Sequence, residues 1–137
     1  MTQLVLDASV LLKWFAKDEE RGSAEARELR RTYEAGRLDV VVPSLIFAEL
    51  LNVAGRRWGW DARALVAMAE VLDVMDLDVG EPELDRIATW TARGLTAYDA
   101  LYVSLAEERG IPLVTDDELV LSTAPAVARP LIATGTR

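Results

Sequence analysis

Short apolar runs alternate along this chain with longer segments in which apolar residues recur every three or four positions. The short runs have the length of buried strands. The longer segments have the spacing of amphipathic helices, most clearly over residues 44–58, where Phe47, Leu50 and Ala54 fall on one stripe. Because strands joined by helices form parallel sheets, the pattern predicts an α/β sandwich with a mainly parallel sheet.

The boundaries of the individual elements follow from the same pattern. The predicted strands cover residues 4–6, 39–42, 76–79, 111–114 and 129–133. The predicted helices cover residues 8–15, 23–35, 44–58, 62–75, 81–93, 98–109 and 117–121. The helix at 98–109 is apolar nearly all round, so we expect it to be buried. No repeat or linker interrupts the pattern, and we expect one domain over residues 1–137.

Composition narrows the class of protein. The 137 residues are 51% hydrophobic and 28% charged, which excludes a disordered chain. No apolar run reaches the roughly 18 residues that a membrane span needs. The N-terminus lacks the basic segment of a secretory signal. We therefore expect a cytoplasmic protein with no membrane contact.

Two residue types are missing, and their absence restricts the chemistry. Without cysteine the chain forms no disulfides, thiolate nucleophiles or zinc–thiolate sites. Without histidine it has no imidazole base and no Ser-His-Asp triad. A bound metal would therefore be held by oxygen, which favours Mg²⁺ or Mn²⁺. The net charge of −8 argues against a nucleic-acid partner unless cations neutralise clustered acids locally.

Acidic residues stand where strands end or helices begin. Asp7 and Asp117 follow predicted strands, and Asp99 lies in the first turn of the helix at 98–109. Helix capping is the simpler explanation for all three, because aspartate is a common N-cap. The segments 96–99 and 115–118 each match a capping box that begins with threonine.

Glu49 is less easily explained by capping, since it lies inside the helix at 44–58. With Asn52 and Arg56 it forms a polar stripe flanked by apolar positions, for which a solvated face is the alternative. Strand ends of a parallel sheet meet at one edge, so we expect the four acids to converge. Clustered carboxylates repel one another unless cations compensate. The pattern therefore favours a divalent-cation site that promotes phosphodiester hydrolysis by metal-activated water, with one ion or two.

Four short segments occur together and carry a family resemblance. They read LDASVLLKWF at 6–15, AELLNV at 48–53, TAYDALY at 96–102 and PLVTDD at 112–117. Jointly, and in this order, they resemble the PIN-domain family. Within that family they are similar to the VapC-type toxins of prokaryotic type II toxin–antitoxin pairs. The resemblance covers essentially the whole chain.

The resemblance implies a three-layer α/β/α sandwich and a Mg²⁺- or Mn²⁺-dependent endoribonuclease. Its implied partners are an RNA substrate, a small VapB-type antitoxin and a second copy of the chain in a homodimer. The implied catalytic and metal-binding residues are Asp7, Glu49, Asp99 and Asp117. Polar support is expected from Ser9, Asn52, Thr115 and Asp116. The family spacing selects Asp117 over Asp116, although the adjacent carboxylate of Asp116 could substitute or add charge.

The substrate phosphates need cationic contacts near this acidic pocket. Arg56, Arg57 and Arg93 lie close in sequence to the acidic motifs and are the expected substrate-binding residues, with ordinary solvated arginines as the alternative. Phosphoaspartyl and dinucleotide-binding proteins fit poorly, because no lysine follows Lys17 and no G-x-G occurs. The serious alternative is a catalytically silent, metal-stabilised protein-binding module of the same fold.

Overall fold

A computed structural model describes residues 1–132 and contains a five-stranded sheet in the order β3-β2-β1-β4-β5. Every pair of neighbouring strands is parallel. Val5 of the central strand lies opposite Val41 on one side and Leu113 on the other. The strands are β1 (Thr2–Leu6), β2 (Leu38–Val42), β3 (Asp78–Val79), β4 (Leu113–Thr115) and β5 (Ala128–Pro130).

Helices cover both faces of this sheet. They are α1 (Ala8–Phe15), α2 (Ser23–Glu34), α3 (Leu45–Arg56), α4 (Ala62–Val74), α5 (Leu84–Ala92), α6 (Ala97–Arg109) and α7 (Glu118–Thr123). Because crossovers between parallel strands are right-handed, α1 to α4 lie on one face and α5 to α7 on the other. Contacts follow this division, since α1 packs on α2 and α3, α3 on α4, and α5 on α6. The predicted α/β/α sandwich with a parallel sheet is confirmed.

The core lies where the central strands meet these helices. Val5, Leu6 and Val41 have no exposed surface, as expected for strands covered on both faces. The middle of α6 is buried as its composition predicts, from Ala100 to Ala106 apart from Leu101. Among the described residues, no helix has the length and apolar run that a membrane span requires.

Several element ends differ from the sequence prediction. Helix α5 begins at Leu84 rather than at residue 81. Glu81 and Glu83, which precede it, form hydrogen bonds to the start of α3 and to α6 instead. The Glu81 carboxylate accepts a hydrogen bond from the Ser44 backbone N–H at 2.7 Å, and the Glu83 N–H donates to the Glu108 carboxylate at 2.7 Å. Strand β5 ends at Pro130, and the last residue of the predicted strand, 133, lies outside the described residues.

The strand order creates a crevice beside the central strand. From β1 the chain crosses to β2 on one side, whereas β4 pairs with β1 on the other side. Open α/β sheets bind their ligands at such a point, outside the carboxyl ends of the strands. The carboxyl ends of β1 and β4 are followed by Asp7 and by Asp116 and Asp117. The topology therefore places these three aspartates at the position where such sheets bind their ligands.

Candidate acidic active site

Asp7 lies at the carboxyl end of β1 and serves two purposes. It is the N-cap of α1, where its Oδ1 accepts from the Val10 N–H at 3.3 Å. The same oxygen accepts from the Ser9 hydroxyl at 2.5 Å, and Oδ2 accepts from the Thr115 hydroxyl at the end of β4. Asp7 can therefore cap α1 and also bind a ligand in the site, because a carboxylate has enough lone pairs to accept both kinds of contact.

The surroundings of Asp7 disfavour its negative charge. Burial raises the pKa of Asp7 to about 6, and the nearby charge of Asp99 adds to this shift. Hydrogen bonds from Ser9, Thr115 and the Val10 N–H act in the opposite direction. A buried carboxylate in these surroundings is stabilised in its charged form mainly when a cation or a positively charged side chain binds beside it.

Asp99 links the acids electrostatically. It lies in the first turn of α6, where Thr96 is the N-cap and its hydroxyl accepts from the Asp99 N–H at 3.1 Å. Burial and the charge of Asp117 raise the pKa of Asp99, and the charge of Asp99 raises the pKa values of Asp7 and Glu49. Asp99 therefore links the four expected acids electrostatically, because it interacts with Asp7, with Glu49 and with Asp117.

Glu49 reaches the group from the second turn of α3 and is held by a residue that sequence reasoning missed. The Tyr102 hydroxyl donates to Glu49 Oε1. Burial raises the pKa of Tyr102 far above its ordinary value, and its bond to Glu49 adds to this, so the phenol stays protonated. Tyr102 follows Asp99 by three positions and shares its helix face. That spacing is the only sequence signal that could have identified it.

The two adjacent aspartates after β4 point to different partners. Asp117 is the N-cap of α7, accepts from the Val120 N–H at 3.0 Å, and repels Asp99. Asp116 instead forms an ion pair with Lys13, with 3.2 Å between Oδ2 and Nζ.

The capping box predicted at 115–118 is wrong. Thr115 belongs to β4, and its hydroxyl accepts from the Asp117 N–H at 3.0 Å while donating to Asp7. Asp117 caps α7 because the strand continues through Thr115 and the helix begins only at Glu118.

The remaining expected site residues are exposed and lie on or directly after α3 and directly after α5. Asn52 and Arg56 are exposed and line a cavity of about 520 Å³ between α3 and α4. Arg57 lines a different cavity, of about 660 Å³, together with Trp58 and Trp60. None of the four acids lines either cavity.

Arg93 follows α5, and its guanidinium stacks on the Trp90 ring at 4.6 Å from the centroid. Trp90 in turn donates to Glu107 on α6 at 3.2 Å. Arg93 therefore packs against the end of its own helix.

The arrangement supplies only oxygen donors. Within residues 1–132, no group of three acidic side chains is placed to hold a metal ion. Mg²⁺ in proteins is commonly bound by one or two carboxylates and keeps several waters. Half-buried carboxylates that repel one another, with hydroxyls fixing both oxygens of Asp7, suit that mode of binding.

Comparison with known proteins finds a family model and named relatives that match this chain. The family model described as PIN domain matches residues 4–124. Ribonuclease VapC3 of Mycobacterium tuberculosis (strain CDC 1551 / Oshkosh) is 30% identical over an alignment of 137 positions, and the alignment covers 90% of this chain and 89% of the relative.

Two solved structures share the fold. The M. tuberculosis VapC20 toxin, described as cleaving the sarcin-ricin loop, superposes with a TM-score of 0.66 at 18% identity, covering 88% of this chain and 95% of that one. A toxin–antitoxin complex from Klebsiella pneumoniae gives 0.63 at 15% identity, covering 95% and 98%. The chain belongs to the PIN-domain family and, within it, to the VapC-type ribonuclease toxins.

Proposed function

We propose that this protein is a divalent-cation-dependent endoribonuclease that hydrolyses phosphodiester bonds of RNA and acts as the toxin of a toxin–antitoxin pair. The observation that carries the proposal is the electrostatic coupling of the four acids through Asp99, whose charge raises the pKa of Asp7 and of Glu49 and whose own pKa is raised by the charge of Asp117. Binding of Mg²⁺ or Mn²⁺ would offset this repulsion between the carboxylates, which explains why they are placed near one another. The chain has no histidine or cysteine that could provide another hydrolytic mechanism.

The residues have distinct tasks under this proposal. Asp7 and Asp99 would hold the cation, and Asp117 would hold it directly or through water. A cation held there would polarise water and stabilise negative charge at the scissile phosphate. Ser9 and Thr115 fix the orientation of the Asp7 carboxylate by donating to its two oxygens.

Glu49 is the acid best placed to orient a water or to help hold a second ion. The hydrogen bond from Tyr102 holds one of its oxygens, and the other oxygen can accept a proton or a further hydrogen bond. Arg56 and Arg57 remain proposed contacts for substrate phosphates further from the acids, on the exposed end of α3.

The partners are proposed from relatives. A Klebsiella pneumoniae protein of this fold is found in a toxin–antitoxin complex, which supports a small antitoxin as the protein partner. The cleavage named for the M. tuberculosis VapC20 toxin supports RNA as the substrate class. A homodimer is proposed on the family resemblance alone.

The test is cleavage of total RNA by purified, partner-free protein with Mg²⁺, Mn²⁺ or EDTA. We expect discrete fragments with either metal, none with EDTA, and none from the Asp99→Asn variant. Folded wild-type protein that yields no fragments with either metal would instead favour a catalytically silent protein-binding module.

Replacing Tyr102 by phenylalanine is expected to lower the cleavage rate about tenfold or more, the scale of losing one hydrogen bond to a charged group. The ring stays in place, so the loss isolates the hydroxyl that donates to Glu49. That bond lowers the pKa of Glu49, so its removal should also move the acid limb of the pH–rate profile to higher pH.

Tyr98→Phe is the matched control for this variant. It makes the same chemical change on the same helix, at a side chain that is 62% exposed. Equal rates for the Tyr102 and Tyr98 variants would mean that the hydroxyl of Tyr102 has no part in the reaction.

A further inference from the structure

Lys13 is a nearly buried cation beside the acid group. It lies on α1, and only 9% of its side chain is exposed. Its ammonium donates to the Ser9 carbonyl oxygen at 3.1 Å and forms an ion pair with Asp116 at 3.2 Å. A longer ion pair, of 3.6 Å, joins it to Glu20. Burial of an ammonium is costly without such partners, so these contacts define where the lysine lies.

The contacts of Lys13 connect the two chain segments that hold Asp7. Ser9, whose carbonyl accepts from Lys13, donates its hydroxyl to Asp7 Oδ1. Asp116, the ion-pair partner, directly follows Thr115, whose hydroxyl donates to Asp7 Oδ2. A ring of contacts therefore runs from Asp7 through Ser9, Lys13 and the 115–116 segment back to Asp7.

The connection between α1 and α2 packs over this ion pair. Gly22 has a φ of +90°, and a Cβ there would lie 3.1 Å from Lys13 Cε and 3.5 Å from Asp116 Oδ2. The same Cβ would lie 3.0 Å from Leu131. The close approach of this backbone leaves the lysine stem and the Asp116 carboxylate little room to take other orientations.

We propose that Lys13 is a positioning residue of the acidic site, and that its ion pair with Asp116 holds this carboxylate away from the acid group. Only one of the two adjacent aspartates, Asp117, then adds its charge to that of Asp99. Without Lys13, Asp116 would add its full charge at the end of β4 and be free to turn towards a bound cation. This inference rests on the proposed function, since it concerns the same cation site.

Binding of Mn²⁺ to metal-free protein, followed by titration calorimetry, tests the proposal. We expect Lys13→Met to bind Mn²⁺ about tenfold tighter, because a nearby positive charge is lost and an acid is released. We expect its kcat for RNA to fall about tenfold with little change in KM, because the misdirected carboxylate disturbs the site rather than substrate binding. In the double variant Lys13→Met/Asp116→Asn, the Mn²⁺ affinity should return to within about twofold of wild type.

Lys17→Met is the matched control, since it removes the chain's other lysine, which is exposed and lies over the Trp60 ring at 5.2 Å. It should leave Mn²⁺ affinity and cleavage unchanged. Asp116→Asn alone is expected to weaken Mn²⁺ binding about threefold, because the Lys13 charge is then uncompensated. This variant decides the question even if Lys13→Met fails to fold.

A purely structural lysine would give a different result. Lys13→Met would then be less stable and bind Mn²⁺ no more tightly than wild type, and Asp116→Asn would not change the affinity. Either finding overturns the inference. If wild-type protein itself neither binds Mn²⁺ nor cleaves RNA, the proposed function fails and this inference fails with it. Wild-type binding and cleavage together with unaffected variants refute the inference alone.

Discussion

Replacing Asp99 by asparagine is expected to lower RNA cleavage by at least about a hundredfold, the scale of losing one preorganised electrostatic group from an active site. The charge of Asp99 raises the pKa of Asp7 and of Glu49, and the charge of Asp117 raises that of Asp99, so the loss of Asp99 weakens the attraction of the acids for a cation. The metal-free variant should unfold at a temperature no lower than that of wild type, because the substitution relieves repulsion.

Asp85→Asn is the matched control. Asp85 occupies the first turn of α5 as Asp99 occupies the first turn of α6, but it is exposed and lies on another helix. Cleavage rates should be measured with saturating Mn²⁺ and thermal unfolding should be measured in EDTA. A variant of Asp99 that cleaves RNA as fast as the Asp85 variant would remove Asp99 from the site.

Replacing Asp7 by asparagine is expected to stabilise the metal-free protein at pH 7.5 by about 3 kcal/mol, which corresponds to roughly 10 °C in Tm. The folded-state pKa of Asp7 is about 6, against an ordinary value of 3.8. Well below pH 3.8 the carboxyl is protonated in both the folded and the unfolded state. As the pH rises towards 6 and beyond, the unfolded chain releases this proton more readily, so the folded state loses stability.

The difference between wild type and this variant should therefore be small near pH 4 and largest above pH 7. Chemical denaturation in EDTA at both pH values measures it. Asp61→Asn is the control, because Asp61 caps α4 with the same bond, 2.9 Å from the Ala64 N–H, yet is exposed. Addition of Mn²⁺ should stabilise wild type but not the Asp7 variant. An Asp7 variant that is less stable than wild type at pH 7.5 would contradict this account.

Much of the fold and part of the site follow from patterns that are local in sequence. Apolar runs predict β1, β2 and β4, and a parallel sheet brings their carboxyl ends to one edge. The sequence alone therefore indicates Asp7 and Asp117 as candidates for the site. The family spacing favours Asp117 over Asp116. The structure gives a physical reason for the same preference, since Asp116 forms an ion pair with Lys13.

The contacts that complete the site are not visible in local patterns. Tyr102 and Glu49 are 53 positions apart, and a tyrosine in an apolar helix looks like ordinary core. Lys13 and Asp116 are even more distant in sequence, and only the pairing of β1 with β4 brings their elements together. Long-range pairs of this kind depend on side-chain direction, which periodicity does not determine.

The exposed residues were the least predictable. Arg56 lies one turn beyond Asn52 on α3, and both residues line a cavity that none of the four acids lines. Arg93 stacks on Trp90, three positions earlier. This contact between helix neighbours was open to prediction, because residues three positions apart lie on the same side of a helix.

The strand order also decides when activity can first arise during synthesis. Thr115, which holds one oxygen of Asp7, is 108 positions later in the chain. Asp7 emerges from the ribosome early, yet it meets Thr115 only after β4 has been inserted beside β1. Contacts between distant segments form late and slowly. We therefore expect any fragment that ends before β4 to be inactive as a nuclease, because it lacks both the Thr115 contact to Asp7 and the carboxylate of Asp117.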